Sequence, residues 1–268
     1  MTNTLPSSDP RIVGRIDGAI GWLVIDNPER RNAVALSMWK AIPEVVAGLD
    51  AHPDVRVIII RGAGEVAFVA GADISEFAET RKDAAHALAY EELNGAAYAA
   101  LRHAHKPTLA MIHGFCMGGG MGLAVAADMR LAADNAVFAI PAARLGVGYP
   151  PDGIRDAVKL IGPARAKDLF FTARRVDHAE ALAIGLVDRV LPAAELEAET
   201  RALAATIAAN APLSIIAAKA AIDAVSGDPA TADYERVRAL TNTCFDSADF
   251  AEGRTAFMEK RKPVFQGR

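Results

Sequence analysis

Apolar and polar positions along this chain follow two regimes. Before Leu191, short apolar runs alternate with longer amphipathic stretches. Val55–Ile60 and Thr108–Ile112 are almost continuously apolar, as strands buried on both faces are. Arg11–Asp17 and Ile20–Ile25 predict two strands joined near Asp17-Gly18, a hairpin signal. Arg130–Ala133 and Ala136–Ile140 predict two more short strands. Ser37–Leu49 has helical spacing, which Pro43 weakens unless it falls in the first turn. Asp83–His105, rich in Ala and Leu, predicts a long helix, and Met121–Ala127 a shorter one. Residues 1–10 are polar, carry Pro6 and Pro10, and predict a frayed tail. Strands alternating with helices place the chain in the α/β class.

After Leu191-Pro192 the pattern becomes helical throughout, over Ala193–Ala209, Pro212–Val225, Ala230–Ser247 and Asp249–Lys260. Gly227-Asp228-Pro229 marks a turn. This alanine-rich tail has little material for a core of its own. Its apolar stripes are expected to pack on the main domain or on another subunit. The division predicted is a core over 1–192 and a helical region over 193–268.

Composition narrows the function classes. The 268 residues suit one large domain, or a core with an appendage, and the 52% hydrophobic content supports a sizeable core. A net charge of −4 argues against a nucleic-acid partner. Two distant cysteines, Cys116 and Cys244, indicate no disulfide framework. Met1–Pro10 does not read as a signal peptide, and no apolar run reaches the ~20 residues of a membrane span. A cytoplasmic location without a membrane partner is the expectation. No His/Cys cluster has metal-ligand spacing, so no metal is expected.

The candidate chemistry lies at two turns. Strand Thr108–Ile112 leads into Gly118-Gly119-Gly120, directly before a predicted helix. Glycines there let a ligand approach bare backbone, while the helix start offers unpaired N–H groups and a positive dipole end. The phosphate-gripping Gly-x-x-x-x-Gly-Lys-Ser/Thr pattern is absent. A second small-residue turn, Phe68-Val69-Ala70-Gly71-Ala72-Asp73-Ile74, follows strand Val55–Arg61. One N–H from each turn makes a minimal oxyanion hole for thioester chemistry.

With these turns the chain resembles the crotonase, or enoyl-CoA hydratase/isomerase, superfamily. Further motifs occur in the family's order: Asn27-Pro28, Arg31-Asn32-Ala33, His113-Gly114, Leu145-Gly146, Gly185-Leu186-Val187, Glu252-Gly253 and the ending Phe257–Pro263. The resemblance implies a ββα spiral core with a C-terminal helical trimerisation region. It implies an acyl-CoA thioester as substrate, CoA as part of that substrate rather than a tightly bound cofactor, and a homotrimer or dimer of trimers. It assigns the oxyanion hole to the backbone N–H groups of Ala72 and Gly119. Arg30, Arg31, Ala70, Ala72, Ile74, Phe257 and Lys260 are then expected along the CoA path.

One part of the family pattern is missing. Hydratases of the family usually carry two glutamates, and the matching positions here are Gly122 and Ala142. Water addition needs a base for water and an acid for the α-carbon, and neither residue moves a proton. The polar loop Arg144–Ile154 partly resembles that of methylmalonyl-CoA decarboxylases, although those carry a histidine where this chain has Ala72. In that loop Tyr149 is a candidate hydrogen-bond donor, Asp152 a candidate base, and Arg144 a candidate carboxylate fork. Asp73 and Asp128 read as backbone caps, His113 as structural and Cys116 as a small buried residue. The sequence thus points to isomerisation, decarboxylation or another carbon–carbon lyase step. An atypical hydratase, a non-catalytic acyl-CoA binder and a vestigial structural oligomer remain open.

Overall fold

The structure, a computed structural model, describes residues 3–268. Strands β1 (Asn3–Leu5), β2 (Ile12–Asp17) and β3 (Ile20–Ile25) form an antiparallel meander. Helix α1 (Leu36–Ala51) leads to β4 (Val57–Gly62), parallel to β3. The chain continues through β5 (Ala67–Val69), α2 (Phe77–Thr80) and α3 (Ala84–Arg102) to β6 (Thr108–Ile112). Strand β7 (Phe115–Met117) runs into α4 (Gly119–Ala126), followed by β8 (Met129–Ala133) and β9 (Val137–Ala139). Then come α5 (Ala142–Leu145), α6 (Pro151–Thr172), β10 (Val176–Asp177), α7 (His178–Ala183) and β11 (Arg189–Leu191). Helices α8 (Leu196–Ala208), α9 (Pro212–Ser226), α10 (Tyr234–Phe245) and α11 (Ala248–Glu259) end the chain.

One sheet has the order β1-β2-β3-β4-β6-β8-β11, and a smaller one the order β10-β9-β7-β5. Strand β4 shows why its sequence is continuously apolar. Ile58 and Ile60 join the core that includes α1, α3, α4 and α6, while Val57 and Ile59 face the other way, toward Leu196 and Ala204 of α8. A period of two on a strand covered on both sides leaves no polar face. No single described helix is long and apolar enough to cross a membrane.

Two expectations are corrected, and one helix is added. The N-terminal tail is not simply frayed, because Asn3–Leu5 pairs with β2; Met1 and Thr2 lie outside the described residues. Pro43 stands in the interior of α1 rather than its first turn. An interior proline costs about 3 kcal/mol, but α1 buries Met38, Trp39, Ile42, Val45, Val46 and Leu49. At about 1.5–3 kcal/mol for each large side chain, that packing outweighs the lost bond. Helix α6 was hidden in the sequence by Gly153, Gly162 and Pro163. It breaks at Gly162 (φ 76°, ψ 164°) and buries only Ala157, Ile161, Ala166 and Leu169.

Candidate active site

Strands β5 and β7 are parallel neighbours, so the turns that follow them leave the same end of the small sheet. The first turn is fixed on both sides of Ala72. Val34 N–H donates to the Gly71 carbonyl at 2.9 Å, and Asp73 N–H to the Val34 carbonyl at 3.0 Å. The Asp73 carboxylate accepts from Ser75 N–H at 3.0 Å and from Arg30 Nη1 at 2.9 Å. Burial works to raise its pKa, but the Ser75 and Arg30 contacts prevail and hold it below the usual carboxylate range. Asp73 is therefore a cap, as its position beside a turn predicts. Ala72 N–H itself makes no hydrogen bond among the described residues.

The second turn depends on glycine. Gly118 adopts φ 49°, ψ −113°, which other residues reach only under strain, and its N–H donates to the Ala139 carbonyl at 2.9 Å. Gly119 opens α4, where an N–H has no intrahelical acceptor. The turns touch, since a Cβ on Gly118 would lie 3.9 Å from Gly71 Cα. Two unpaired N–H groups beside one helix start can share a single anionic oxygen.

Side chains from distant elements cover this backbone. Trp39 of α1 leans on Gly119, where a Cβ would come within 2.8 Å of its ring. Its indole N–H donates to Tyr90 Oη at 2.8 Å, and its ring meets Tyr98 edge-on at 5.8 Å between centroids. Tyr98 of α3 fills the space beside Gly122. A Cβ there would overlap the ring and lie 2.5 Å from Oη. The Tyr98 hydroxyl donates to the Gly119 carbonyl at 3.4 Å. Gly122 is thus not an empty position but one occupied by a phenol.

Tyr149 completes the cover. Its Oη would be 3.8 Å from a Cβ on Gly118, its ring packs edge-on against Phe170 at 5.5 Å, and its hydroxyl has no partner among the described residues. Burial pushes the Tyr149 hydroxyl up to about 12, and raises that of Tyr98 well above the ordinary phenol value. Both are neutral donors at pH 7, not bases. Ala142, at the other glutamate position, is buried.

The Arg144–Ile154 segment is not one polar face, which corrects the expectation that it presents three groups together. Tyr149 turns inward. Asp152 stands in the first turn of α6, 67% exposed, and pairs with Arg155 at 2.5 Å. Arg144, on α5, is exposed and makes no ion pair among the described residues. Pro151 starts a helix here, and its first turn carries Asp152 outward while Tyr149 stays on the preceding extended segment. Ala70, Ala72 and Ile74 lie along the first turn, with Ile74 71% exposed. Arg30 is held by Asp73 and Ser75, and Arg31 stacks 5.4 Å above the Phe115 ring. Phe257 and Lys260 stand exposed at the end of α11, and the Lys260 ammonium has no ion-pair partner among the described residues.

His113 and Cys116 are buried; burial, with Arg61 nearby, lowers the His113 pKa, and burial raises that of the Cys116 thiol, which leaves it inert at neutral pH. No group of three or more His, Cys, Asp or Glu suited to a metal occurs among the described residues. A hollow of ≈ 350 Å³ opens elsewhere, where Asp50, Arg56, Lys106, Ile207 and Gln266 meet. It contains none of the turn residues.

Sequence reasoning missed Tyr98 and Trp39. The spacing of Tyr90, Asn94, Tyr98 and Leu101 marks a buried helix face, but nothing in it says which glycine that face meets.

Comparison with known proteins shows the family. The sequence model of the family described as enoyl-CoA hydratase/isomerase matches residues 15–268. A short-chain-enoyl-CoA hydratase of Clostridium acetobutylicum is 34% identical over 247 residues, 92% of this chain and 94% of that protein. A carnitinyl-CoA dehydratase of Escherichia coli is 36% identical over 259 residues, covering 94% of this chain and 97% of that protein. The crystal structure of an enoyl-CoA hydratase/carnithine racemase from Magnetospirillum magneticum superposes with a TM-score of 0.91 at 36% identity, over 98% of this chain and 97% of that one. The chain belongs to the enoyl-CoA hydratase/isomerase family, with the crotonase fold.

Proposed function

We propose that this family member cleaves a carbon–carbon bond next to an acyl-CoA thioester, by decarboxylation or a related lyase step. The observation that carries this reading is the Tyr98 ring in the space beside Gly122. With alanine at 142 as well, neither position matching the family's two glutamates holds a carboxylate, and Tyr98 and Tyr149 stand beside the turns instead.

The mechanism follows from what remains. The thioester oxygen accepts from Ala72 N–H and Gly119 N–H. The bond from Cα to a carboxylate carbon breaks, CO₂ leaves, and the electron pair enters the enolate that those two donors stabilise. Removing one such donor typically costs about 10²–10³-fold in kcat. Tyr149, with its unshared hydroxyl beside Gly118, protonates Cα, and solvent returns the proton to the phenolate. No base is needed, because bond cleavage itself makes the enolate. Isomerisation and ordinary hydration both need a base, and the phenols stay protonated at neutral pH.

Arg30, Arg31, Phe257 and Lys260 are assigned to the CoA handle, Arg30 after exchanging its Asp73 contact. CoA is part of the substrate, and no separate cofactor enters the scheme. A homotrimer, or a pair of trimers, in the cytoplasm is part of the same reading. It is supported by Ile222, Val225, Phe245, Phe257 and Met258, all exposed on the terminal helices. Closed cyclic assembly hides such surface.

A second reading, an atypical hydratase, draws support from the names of the relatives above. Incubation with malonyl-CoA, methylmalonyl-CoA and crotonyl-CoA separates the two. Release of CO₂ and the decarboxylated acyl-CoA supports the lyase reading. Crotonyl-CoA hydration without CO₂ release rejects it, and binding of all three without turnover leaves a non-catalytic acyl-CoA binder.

A further inference from the structure

Helix α11 is held to the rest of the chain by hydrogen bonds more than by an apolar face. Of its residues only Asp249 and Ala256 are buried. A buried carboxylate is costly unless its oxygens are paired. Those of Asp249, a residue 3% exposed, are paired by the segment that follows the helix. One oxygen accepts from Gln266 N–H and the other from Gly267 N–H, both at 2.7 Å. That segment is itself seated on the core. Arg56, just ahead of β4, donates to the Gln266 carbonyl at 3.3 Å. A Cβ on Gly267 would lie 3.1 Å from the Arg56 guanidinium and 3.5 Å from Pro212 of α9.

Residues 261–267 thus run back along α11 as a strap. Lys260 turns the chain, in the left-handed conformation at φ 55°, and Arg261 N–H donates to the Ala256 carbonyl at 3.0 Å. The Arg261 guanidinium then grips Glu252 at 2.6 and 2.8 Å, and Val264 N–H donates to the same carboxylate at 2.9 Å. The Phe265 ring lies against Gly253, where a Cβ would be 3.4 Å away. Lys260 is the apex of this turn, and Phe257, 82% exposed, stands one helical turn before it. Asp249 closes the strap at the opposite end, roughly 16 Å from Lys260 along the axis at ~1.5 Å per residue.

We propose that Asp249 is a positioning residue for CoA: its clamp on Gln266 and Gly267 fixes the direction of α11 and so holds Phe257 and Lys260 where they meet the CoA handle. The inference rests on the assignment of those two residues to CoA and adds the group that sets them. Glu252 and Glu259 tie Arg261 to the helix, which shapes the strap but fixes nothing to the core. Asp249 differs, because its two donors belong to backbone that Arg56 and Pro212 hold. The other joint of α11 lies at its start, where Phe245 of α10 and Phe250 meet edge-on at 5.4 Å. With the clamp released, the helix can swing about that joint, and Lys260, at the far end, is displaced most.

Isothermal titration of the full chain with CoA tests it, using Lys260→Ala, Asp249→Ala and the double variant. Each single change is expected to weaken CoA binding about tenfold, as loss of a charge-assisted contact does. The double variant is expected to lose little more than Asp249→Ala alone, because Lys260 is already out of place; independent effects would multiply to about a hundredfold. On the thioester that the CO₂ assay identifies, Asp249→Ala should raise KM about tenfold and change kcat less than about twofold. A CoA affinity within about twofold of wild type in Asp249→Ala, or losses that multiply, overturns the inference and leaves the CoA assignment intact. If Lys260→Ala and Phe257→Ala both bind CoA as the wild type does, the assignment falls and the inference with it. Should Asp249→Ala not fold, Gln266→Pro removes one of the two N–H donors without touching the buried carboxylate, and the same comparisons decide.

Discussion

The two halves of the site are built by different means. Ala72 and Gly119 are presented by backbone, one locked by its neighbours' bonds to Val34, the other set by Gly118 and the start of α4. Tyr98 and Tyr149 are presented by packing, one on α3 against Gly122, the other on an extended segment against Phe170. The backbone half tolerates almost any change that leaves the turns intact. The phenol half is exchangeable, since one substitution on α3 can open or close the space beside Gly122. In the proposed reading the first half is what the family shares and the second sets the reaction, in keeping with one fold supporting several chemistries.

The largest expected effect breaks the backbone half. Gly118→Ala forces a side chain into φ 49° at a strain of about 1–3 kcal/mol. As the turn relaxes, Gly119 N–H moves off the thioester oxygen, and kcat should fall about 10²–10³-fold. Steady-state kinetics on the best substrate from the CO₂ assay, beside a thermal melt, read both quantities. Tyr149→Phe tests the phenol half and should lower kcat by about 10² with KM little changed, as expected for lost proton transfer. Equal losses in binding and turnover would assign Tyr149 to packing.

The boundary between the halves is sharpened by a double-mutant cycle. Gly122→Glu should destabilise by about 1–3 kcal/mol through overpacking against Tyr98. In the Tyr98→Ala background the same substitution should cost much less, so that urea melts show a favourable coupling. Additive costs would mean that Tyr98 is not what fills the site.

Alkaline pH gives a smaller effect. Folding raises the Tyr98 and Tyr149 pKa values above the unfolded phenol value of about 10. The stabilisation this reflects is complete below pH ~10 and is lost as pH rises toward 12. The melting temperature should therefore drop over that window, and less steeply in Tyr149→Phe. Asp152→Asn should do least. Its carboxylate is mostly exposed and its partner is Arg155, so stability should change by less than about 1 kcal/mol and turnover by less than twofold. A large loss of turnover would return Asp152 to the catalytic set.

Much of the frame was legible in the sequence because its signals are local. Thr108–Ile112 reads as a buried strand from its own five residues, and the glycines at 118–120 announce a turn before a helix. The missing glutamates were legible as well, as Gly122 and Ala142. What replaces them was not, because Tyr98 reaches Gly122 from another helix, 24 residues earlier in the chain. The Arg144–Asp152 segment misled for the opposite reason. Its residues are neighbours in sequence, but the start of α6 at Pro151 sends Tyr149 and Asp152 to different environments.

The central claim, that no group at the turns acts as a base on the α-carbon, is tested most directly by proton NMR of butyryl-CoA in D₂O with the wild-type protein. The account predicts no enzyme-dependent loss of the α-proton signal, while methylmalonyl-CoA under the same conditions releases CO₂ and gains solvent deuterium at the α-carbon. Washout of the butyryl α-protons at a rate comparable to turnover would contradict it, because a base able to form the enolate would then be present.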